Sequence, residues 1–439
     1  MSYAKNGFPV ESASKIGQLR IINDPVLQGV LSSFEAAGPS AAAPLVRVTG
    51  HVDLTPLCSI RRIVVIDGGE ALIPNPIRRE RALGFLTAAA LLMRMDKYEW
   101  LADNPMADPR DLNKQLEGKL WYKAAAIPLS GVSMPGMSVK ETMRAVVNST
   151  LSAANTGLIE TVRFLVYREW LSMWPSDDDP PSMDCLKCGA RFQLPYIERA
   201  STFTCSSCAY QHYISDYLGI CEVADDFGRE STVSNFRNVL EVLMLFDLIR
   251  KFRHHPDEIA KTLFIKDGPL LLRAQLSRLV EPIRAFLTHL HDSGLHVHIV
   301  GVEKNGGVAD FIDDFKHNLP NAGDYFLPTV RFLIEEVSGN EMPTSYRNRV
   351  SYGAKLAVRL GANHVVVLNV PTGRFIEEPK MEDLLGFTES VQVLSKLVSY
   401  RYENALVPLV LINSMVSVAQ KPSSTILEAF ASGLMGVSR

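Results

Sequence analysis

Four cysteines lie in two closely spaced pairs. Two residues separate Cys185 from Cys188, sixteen residues follow, and Cys205 and Cys208 repeat the spacing. Each pair presents two thiolates from a tight turn, and the spacer folds back as a hairpin, which suits tetrahedral zinc. A redox pair and four unconnected thiols are the alternatives. His212 could compete as a ligand, but with four cysteines present it is interpreted as an ordinary hairpin residue. A four-thiolate site leaves no position for substrate, so we predict structural zinc.

Two apolar runs end on an Asp-Gly pair. The first is IVVIDGGE (Ile63–Glu70) and the second is LFIKDGPLLL (263–272). Both have the composition of buried strands, and Asp-Gly favours a turn, so Asp67 and Asp267 are predicted at the carboxyl ends of strands. A plain turn former explains either pair alone. Carboxylates at the ends of adjacent strands, joined by an acid from a packed helix, would instead hold Mg²⁺ or Mn²⁺ for phosphodiester cleavage.

A helix predicted from about Ser231 to His254 supplies the third acid. Ser231 or Ser234 is expected to cap it, and it offers Glu241 in the apolar stretch NVLEVLMLF. An ionised carboxylate is costly to bury unless a cation compensates, which favours Glu241 as a metal ligand. A partly exposed helix residue is the alternative interpretation of Glu241.

Other charged residues compete for roles at this site. The other possible third acids on this helix are Glu230 at its entry and Asp247 further along. Glu230 also suits the positive end of the helix dipole. Lys304 ends the strand-like run VHIVGVEKN and is predicted to neutralise phosphate charge, although a solvated lysine beside a turn fits as well. Glu303 is a further ligand candidate.

Strand-like and helix-like segments alternate along the chain, which predicts an α/β architecture with a central sheet. The apolar, alanine-rich segment Glu80–Met95 is predicted to be a helix, and Ala71–Ile77 a hairpin partner of the strand before it. Tyr325–Ser338 is expected to be a strand pair, and Val407–Ile412 a strand entering the final helix.

Composition limits the classes of function. The 439 residues are 47% hydrophobic and 21% charged with a net charge of −3, which predicts a globular protein without a uniformly DNA-attracting surface. No apolar run approaches the roughly 20 residues of a membrane span, and the first residues lack the apolar core of a secretory signal, so we expect no membrane partner and a cytoplasmic location. The chain has no Gly-x4-Gly-Lys-Ser/Thr phosphate loop, so an ATP motor would have to come from a partner.

In their order along the chain, these segments resemble the NurA family, nucleases that partner the HerA hexameric translocase in DNA-end processing. The resemblance rests on IVVIDGG, the acid-bearing helix, FIKDGPL and VGVEKN, and it covers Arg61–Gly69 and Tyr210–Asn305. Some bacterial members are similarly interrupted by a zinc ribbon. We therefore predict that the zinc-ribbon insertion at 177–218 divides the nuclease domain into a first part at 1–176 and a second part at 219–439.

The resemblance implies an RNase H-like core, manganese-dependent cleavage of single- and double-stranded DNA, and a homodimer that docks on HerA. It points to Asp67, Glu241 and Asp267 as metal ligands and to Lys304 as the phosphate-facing lysine.

Two positions depart from the family pattern. Asn369 stands where many members end a strand on an acid, and Asn413 lies in the late helix that often carries a histidine. Asparagine offers an oxygen ligand without charge.

Three hypotheses follow from the sequence. The first is a metal-dependent DNA nuclease working with a HerA-type ATPase in end processing or defence against foreign DNA. The second is a catalytically weak DNA-binding scaffold that activates the ATPase. The third is a zinc-ribbon nucleic-acid binder whose α/β portion only supports it.

Overall fold

The computed structural model describes residues 25–32, 46–56, 58–74, 81–96, 120–153, 157–171, 181–194, 196, 201–222, 228–304, 306–337, 343–399, 405–418 and 423–434. The chain forms two compact units, Met1–Val46 and Arg47–Arg439. In the first unit the described structure includes one helix, α1 (Pro25–Ser32). The predicted boundaries at residues 177 and 219 stay a prediction.

Nine strands of the second unit form one mixed sheet, in the order β1-β11-β12-β13-β10-β9-β2-β3-β4. Strands β2, β9 and β10 are parallel neighbours, and the other neighbouring pairs are antiparallel. The nine strands are β1 (Gly50–His51), β2 (Arg62–Pro74), β3 (Ala82–Arg94), β4 (Leu120–Ser130), β9 (Thr262–Asp267), β10 (His298–Glu303), β11 (Asp324–Phe326), β12 (Gly353–Gly361) and β13 (His364–Pro371).

Two small hairpins carry the four clustered cysteines. They are formed by the strand pairs β5 (Ser182–Asp184) with β6 (Arg191–Gln193), and β7 (Thr202–Thr204) with β8 (Gln211–Tyr213).

The longer helices of the second unit flank the sheet. They are α2 (Val139–Ser152), α3 (Leu158–Val166), α4 (Arg229–Phe252), α5 (Val280–Asp292), α6 (Gly307–Phe315), α7 (Thr344–Val350), α8 (Phe387–Leu394), α9 (Val407–Val416) and α10 (Ser423–Leu434). Among the described residues, no helix combines the length and the apolar composition that crossing a bilayer requires.

Alternating residues of β2 belong to two different hydrophobic cores. Val64 and Ile66 pack into a core shared with α2, α3, α4 and α5. Ile63 and Val65 pack into a core shared with α8 and α9. Because strand side chains alternate between faces, the central strands are covered on both sides. The predicted α/β class with helices flanking a mixed sheet is therefore confirmed.

The prediction of a helix over Glu80–Met95 is wrong, because this segment is strand β3. It pairs with β2 continuously from Ala82 to Arg94 and with β4 on its other side. An apolar run covered on both faces carries no period that separates strand from helix, and the pairing of its backbone outweighs the helix propensity of alanine. The small side chains of Ala88, Ala89 and Ala90 lie in the two cores.

Three other local predictions also fail. Residues Ala71–Pro74 continue β2 and are not its hairpin partner, which is β3. Tyr325 lies in the short strand β11, but the residues after Thr329 form helical turns through Val337. The segment predicted as a strand at Val407–Ile412 is helix α9, which buries Leu409 and Ile412 against the sheet.

Helix α4 crosses one face of the sheet and confirms the helix predicted from about Ser231. The predicted cap is wrong, because Gly228 is the N-cap residue and no side chain caps the helix. Ser231 donates instead to the carbonyl of Gly228, and the Ser234 hydroxyl donates to Glu70 Oε1 at 2.6 Å. The second contact ties the first turns of α4 directly to β2.

Candidate active site

Adjacent parallel strands hold Asp67 and Asp267 at the same level of the sheet. The register of β2 and β9 pairs Ile66 with Lys266, so the two aspartates follow one residue later on each strand. Residues at one level of neighbouring parallel strands point to the same face, and the strands lie roughly 4.8 Å apart. The structure therefore brings together two carboxylates that are far apart in the sequence.

Only the second Asp-Gly pair forms a turn. Gly268 has a φ of 83° and ends β9 at Asp267. Strand β2 runs on through Asp67 to Pro74, so the prediction that the chain turns at Asp67 is wrong. Within the described chain, β2 has no partner on the β9 side beyond this level, which opens the sheet beside Asp67.

The two glycines after Asp67 allow helices to approach β2 from both faces. A Cβ at Gly68 would lie 2.7 Å from Glu241 Oε1 and 2.8 Å from the carbonyl of Thr87. A Cβ at Gly69 would lie 2.0 Å from the carbonyl of Val416 at the end of α9. The glycines of IDGG are therefore required because helices pack closely against the strand. They do not form the turn that the sequence suggested.

Glu241 reaches the site from α4, where its side chain is 3% exposed. Its Oε2 lies 2.7 Å from Lys266 Nζ, and its Oε1 lies 3.5 Å from Arg237 Nη1. Among the described residues, Oε1 has no hydrogen-bond partner. The cation that makes its burial tolerable is thus Lys266, which comes from the strand carrying Asp267.

The other two acids considered on α4 lie elsewhere. Glu230 is exposed in the first turn of the helix. Asp247 accepts from the Thr161 hydroxyl at 3.0 Å and pairs with Arg250 at 2.8 Å. Glu241 is therefore the α4 acid that lines the cleft with Asp67 and Asp267.

Two lysines pair with acids of the site. Lys304 follows β10, and its Nζ lies 2.8 Å from Asp267 Oδ2. Lys266, besides its contact with Glu241, donates to the backbone carbonyl of Asp267 at 2.8 Å. Sequence reasoning identified Lys304 but missed Lys266, whose signal was a single charge inside the otherwise apolar strand run LFIKD.

A cleft of about 460 Å³ joins these side chains. The four predicted residues Asp67, Glu241, Asp267 and Lys304 all line it, as does Asn413 from α9. The charges around it are balanced, with four acids and four bases. The charged lining residues are Asp67, Arg237, Glu241, Lys266, Asp267, Arg273, Glu303 and Lys304.

The Asp67 carboxyl has a strongly shifted pKa. Burial, followed by the nearby charges of Asp267 and Glu241, raises the pKa of Asp67 from 3.8 to about 7. The Gly68 N–H, 2.7 Å from Asp67 Oδ1, and the charge of Lys304 oppose this rise in pKa. Three acids placed together repel one another, and the proton on Asp67 relieves that repulsion.

Glu303 and Asn369 form a neighbouring polar group on β10 and β13. Asn369 Nδ2 donates to Glu303 Oε1 at 2.6 Å, and Lys355 Nζ lies 2.8 Å from the same oxygen. Asn369 is buried, and its Oδ1 has no hydrogen-bond partner in the described part of the chain. The amide is thus placed beside Glu303, which itself lines the cleft.

The four clustered cysteines converge at the turns of the two small hairpins. Their sulfur atoms all lie within 4.8 Å of one another, with Cys185 and Cys208 at 3.6 Å and Cys188 and Cys205 at 3.8 Å. Four sulfurs around a tetrahedral zinc ion at about 2.3 Å would lie about 3.8 Å apart. Gly189, after the first pair, has the positive φ of 71° that its turn requires.

His212 is more than a hairpin residue. It is fully buried on β8, with Nε2 3.3 Å from Cys185 Sγ and Nδ1 3.5 Å from Asp216. Burial opposes ionisation of the Cys185 thiol, but hydrogen bonds from the backbone N–H groups of Cys188 and Lys187 and from His212 bring its pKa well below the ordinary value. The thiolate is the form that binds metal.

The cysteine hairpins are joined to the rest of the second unit by a buried ion pair. Arg144 on α2 binds Asp216 through two bonds of 3.0 and 2.6 Å, and its guanidinium lies over the Tyr210 ring at 4.9 Å. Met183 and Phe203 from the hairpins belong to the core around α4. The two remaining cysteines, Cys58 and Cys221, are buried.

Comparison with solved structures finds NurA proteins. The chain is similar to the crystal structure of the NurA nuclease from Sulfolobus solfataricus, with a TM-score of 0.33, 12% identity, and 88% of each chain covered. It is also similar to a crystal structure of NurA (TM-score 0.28, 11% identity, covering 97% of this chain and 98% of the other). A third is NurA bound to dAMP and manganese (TM-score 0.28, 13% identity, 98% of each chain).

No protein-family model matches the chain, and no curated protein sequence matches it significantly.

Proposed function

We propose that this chain is a divalent-metal-dependent deoxyribonuclease that hydrolyses phosphodiester bonds, with Asp67, Glu241 and Asp267 as the metal ligands. The observation that carries the proposal is the convergence of these three carboxylates in one cleft, where burial and the two neighbouring acids raise the pKa of Asp67 to about 7. Clustered acids with a strongly perturbed pKa in a cleft are typical of functional sites.

The donor set fits Mn²⁺ or Mg²⁺. Hard cations take oxygen ligands, and the carboxylates of Asp67, Glu241 and Asp267 supply them. Glu241 Oε1 is buried without a hydrogen-bond partner among the described residues, and a cation would satisfy it while offsetting the repulsion among the acids. When bound, such an ion activates water and stabilises the leaving oxygen.

The lysines of the cleft have distinct roles in this proposal. Lys304 is partly exposed beside Asp267 and faces the cleft, so it contacts the phosphate of the substrate. Lys266 is buried and holds Glu241 Oε2 and the Asp267 carbonyl, so it positions these groups. Asp67 gives up its proton when it becomes a ligand, because the carboxylate is the binding form.

Several parts of the proposal come from the sequence resemblance. They are DNA as substrate, a homodimer, a HerA-type hexameric ATPase as partner, and a role in DNA-end processing or in defence against foreign DNA. The cytoplasmic location in the proposal comes from the sequence composition and not from the resemblance. The RNase H-like core also comes from the resemblance. It is supported by a mixed sheet in which β2 pairs with the antiparallel strand β3 on one side and the parallel strand β9 on the other.

We also propose that Cys185, Cys188, Cys205 and Cys208 hold a structural zinc ion as a zinc ribbon. Sulfur separations of 3.6 and 3.8 Å support this, because they match the edges of a zinc tetrahedron. Metal analysis of the purified protein tests it: Cys205→Ser should lose the bound zinc. Zinc retained in full by this variant would contradict the four-thiolate site.

A nuclease assay tests the main proposal. Labelled DNA is incubated with Mn²⁺ and the wild type, Asp67→Asn, Asp267→Asn or Glu241→Gln, and each variant should lose at least about a hundredfold in cleavage rate. Glu230→Gln is the matched control, because it neutralises an exposed acid of the same helix outside the cleft. Undiminished cleavage by both aspartate variants would reject the metal assignment.

A second candidate function is a catalytically weak DNA-binding scaffold that activates the ATPase. The observation favouring it is that Glu241 and Asp267 already have lysine partners at 2.7 and 2.8 Å, while Asn369 and Asn413 add no charge. Protein that never cleaves DNA with any divalent metal, yet raises ATP turnover by a HerA-type ATPase, would select this function.

A further inference from the structure

A second cavity of about 480 Å³ adjoins the cleft that holds the three acids. The two cavities share Pro269, Leu271, Arg273 and Glu303 as lining residues. Pro269 and Leu271 belong to the segment that directly follows Asp267. The two cavities therefore lie side by side along this segment.

The charge of the second cavity differs from that of the cleft. Five bases and a single acid line it, and that acid, Glu303, is already paired with Lys355. The cleft itself has equal numbers of acids and bases. The five bases of the second cavity are Arg273, Arg284, Arg347, Lys355 and Arg374.

Some of these bases are fixed by the protein. Arg284 donates to the side chain and the backbone carbonyl of Asn348 at 2.9 and 2.7 Å, and its guanidinium lies 5.5 Å from the Phe375 ring centre. Burial lowers the pKa of Arg284 to about 10, so it remains charged at neutral pH. Arg347 donates to the carbonyl of Leu333 at 3.2 Å.

Two other arginines are available to a ligand. Arg273 is exposed, and its side chain has no ion pair or hydrogen bond with any described residue. Arg374 is 79% exposed, and Asp383, at 3.9 Å, is a distant partner. Tyr346 and Phe375 add aromatic surface to the cavity wall. Cations combined with aromatic faces are the features that bind single-stranded nucleic acid.

We propose that this basic cavity binds the single-stranded segment of the substrate next to the phosphate held in the acidic cleft, an inference that rests on the proposed nuclease function. A cavity of this size accommodates a group about as large as a nucleotide. A volume of this size does not hold the two paired strands of a duplex, so the bound segment is unpaired. Arg273, which lines both cavities, contacts the phosphate between them.

Binding of DNA without divalent metal tests this inference separately from cleavage. A fluorescently labelled oligodeoxythymidylate is titrated in EDTA with the full-length wild type, Arg273→Ala, Arg374→Ala and the double variant, using fluorescence anisotropy. Lys396→Ala is the control, because it removes one exposed cation that lines neither cavity. Both arginines are exposed, so thermal unfolding should show all variants folded like the wild type.

The double variant should bind the single strand at least about tenfold more weakly, and the slope of log affinity against log salt should become less steep by about 0.7 for each lost phosphate contact. Lys396→Ala should bind like the wild type. Wild-type affinity in the double variant would overturn the inference. An equal loss of affinity for a blunt duplex of the same length would overturn its single-strand part.

Failure of the proposed function gives a different result. If the protein cleaves no DNA but the double variant shows the expected loss of binding, the nuclease function is rejected and single-strand binding by the basic cavity is retained. Protein that cleaves DNA while the double variant binds the single strand normally would reject the basic cavity and leave the nuclease.

Discussion

Asp67→Asn should change how the stability of the metal-free protein depends on pH. The Asp67 carboxyl is 5% exposed and lies beside Asp267 and Glu241. Its ionisation therefore places a buried negative charge beside the carboxylates of Asp267 and Glu241. The asparagine variant retains nearly the same shape but cannot ionise, so the difference between the two proteins isolates this charge.

The magnitude follows from the pKa of Asp67. Its pKa in the folded chain, about 7, lies above the ordinary value of 3.8, so between these values the folded chain binds the proton more tightly than the unfolded chain. The free energy of unfolding therefore falls as the pH rises from about 4 to about 7 and changes little above that. At about 1.4 kcal/mol for each pKa unit, the whole effect is about 4 kcal/mol.

Urea unfolding in EDTA at pH 5 and pH 8 measures this effect. Between these two pH values, the wild type should lose about 3 kcal/mol of stability relative to Asp67→Asn. Titrating groups that do not interact with Asp67 contribute equally to both proteins and cancel in the comparison. Glu230→Gln, which neutralises an exposed acid, should follow the wild type at both pH values.

Added Mn²⁺ should oppose this loss of stability of the wild type. A bound cation favours the ionised form of Asp67, so the stabilisation by Mn²⁺ should grow as the pH approaches 7 in the wild type and be much smaller in Asp67→Asn. Parallel pH dependence of the wild type and Asp67→Asn in EDTA would refute the reasoning, because burial and the neighbouring acids would then not raise the pKa of Asp67.

Three further substitutions test contacts that position the site. Lys266→Met leaves Glu241 buried without its ammonium partner and should cost about 3–5 kcal/mol in urea unfolding with EDTA; a loss under 1 kcal/mol would show that the pair is not needed. Gly69→Ala places a methyl group against the backbone of α9 and should lower the stability measured by thermal unfolding by at least about 1–3 kcal/mol. Unchanged stability would contradict this close packing. Arg144→Leu leaves the buried carboxylate of Asp216 without its partner and should destabilise the cysteine hairpins by about 3–5 kcal/mol, seen as faster loss of the proposed zinc ion to a chelator. Wild-type zinc retention would argue against that link.

The sequence alone determined the parts of the site whose chemistry is local. The spacing of Cys185, Cys188, Cys205 and Cys208 already predicted one cluster, because two residues between thiols suit a single turn. Helix α4 followed from its run of core-spaced residues, and the run before Asp267 identified β9. The burial of Glu241 could also be inferred, because its neighbours in the helix are apolar and face the core.

Only the tertiary structure decided how these parts meet. It made β3 a strand, because backbone pairing with β2 and β4 outweighs the helix propensity of its alanines. It continued β2 through Asp67 and explained Gly68 and Gly69 by helices lying close on both faces. It assigned Lys266 as the partner of Glu241 and placed Arg273 between two cavities. Local sequence carries turn and spacing preferences, whereas these contacts join residues distant in the chain and depend on strand register and helix packing.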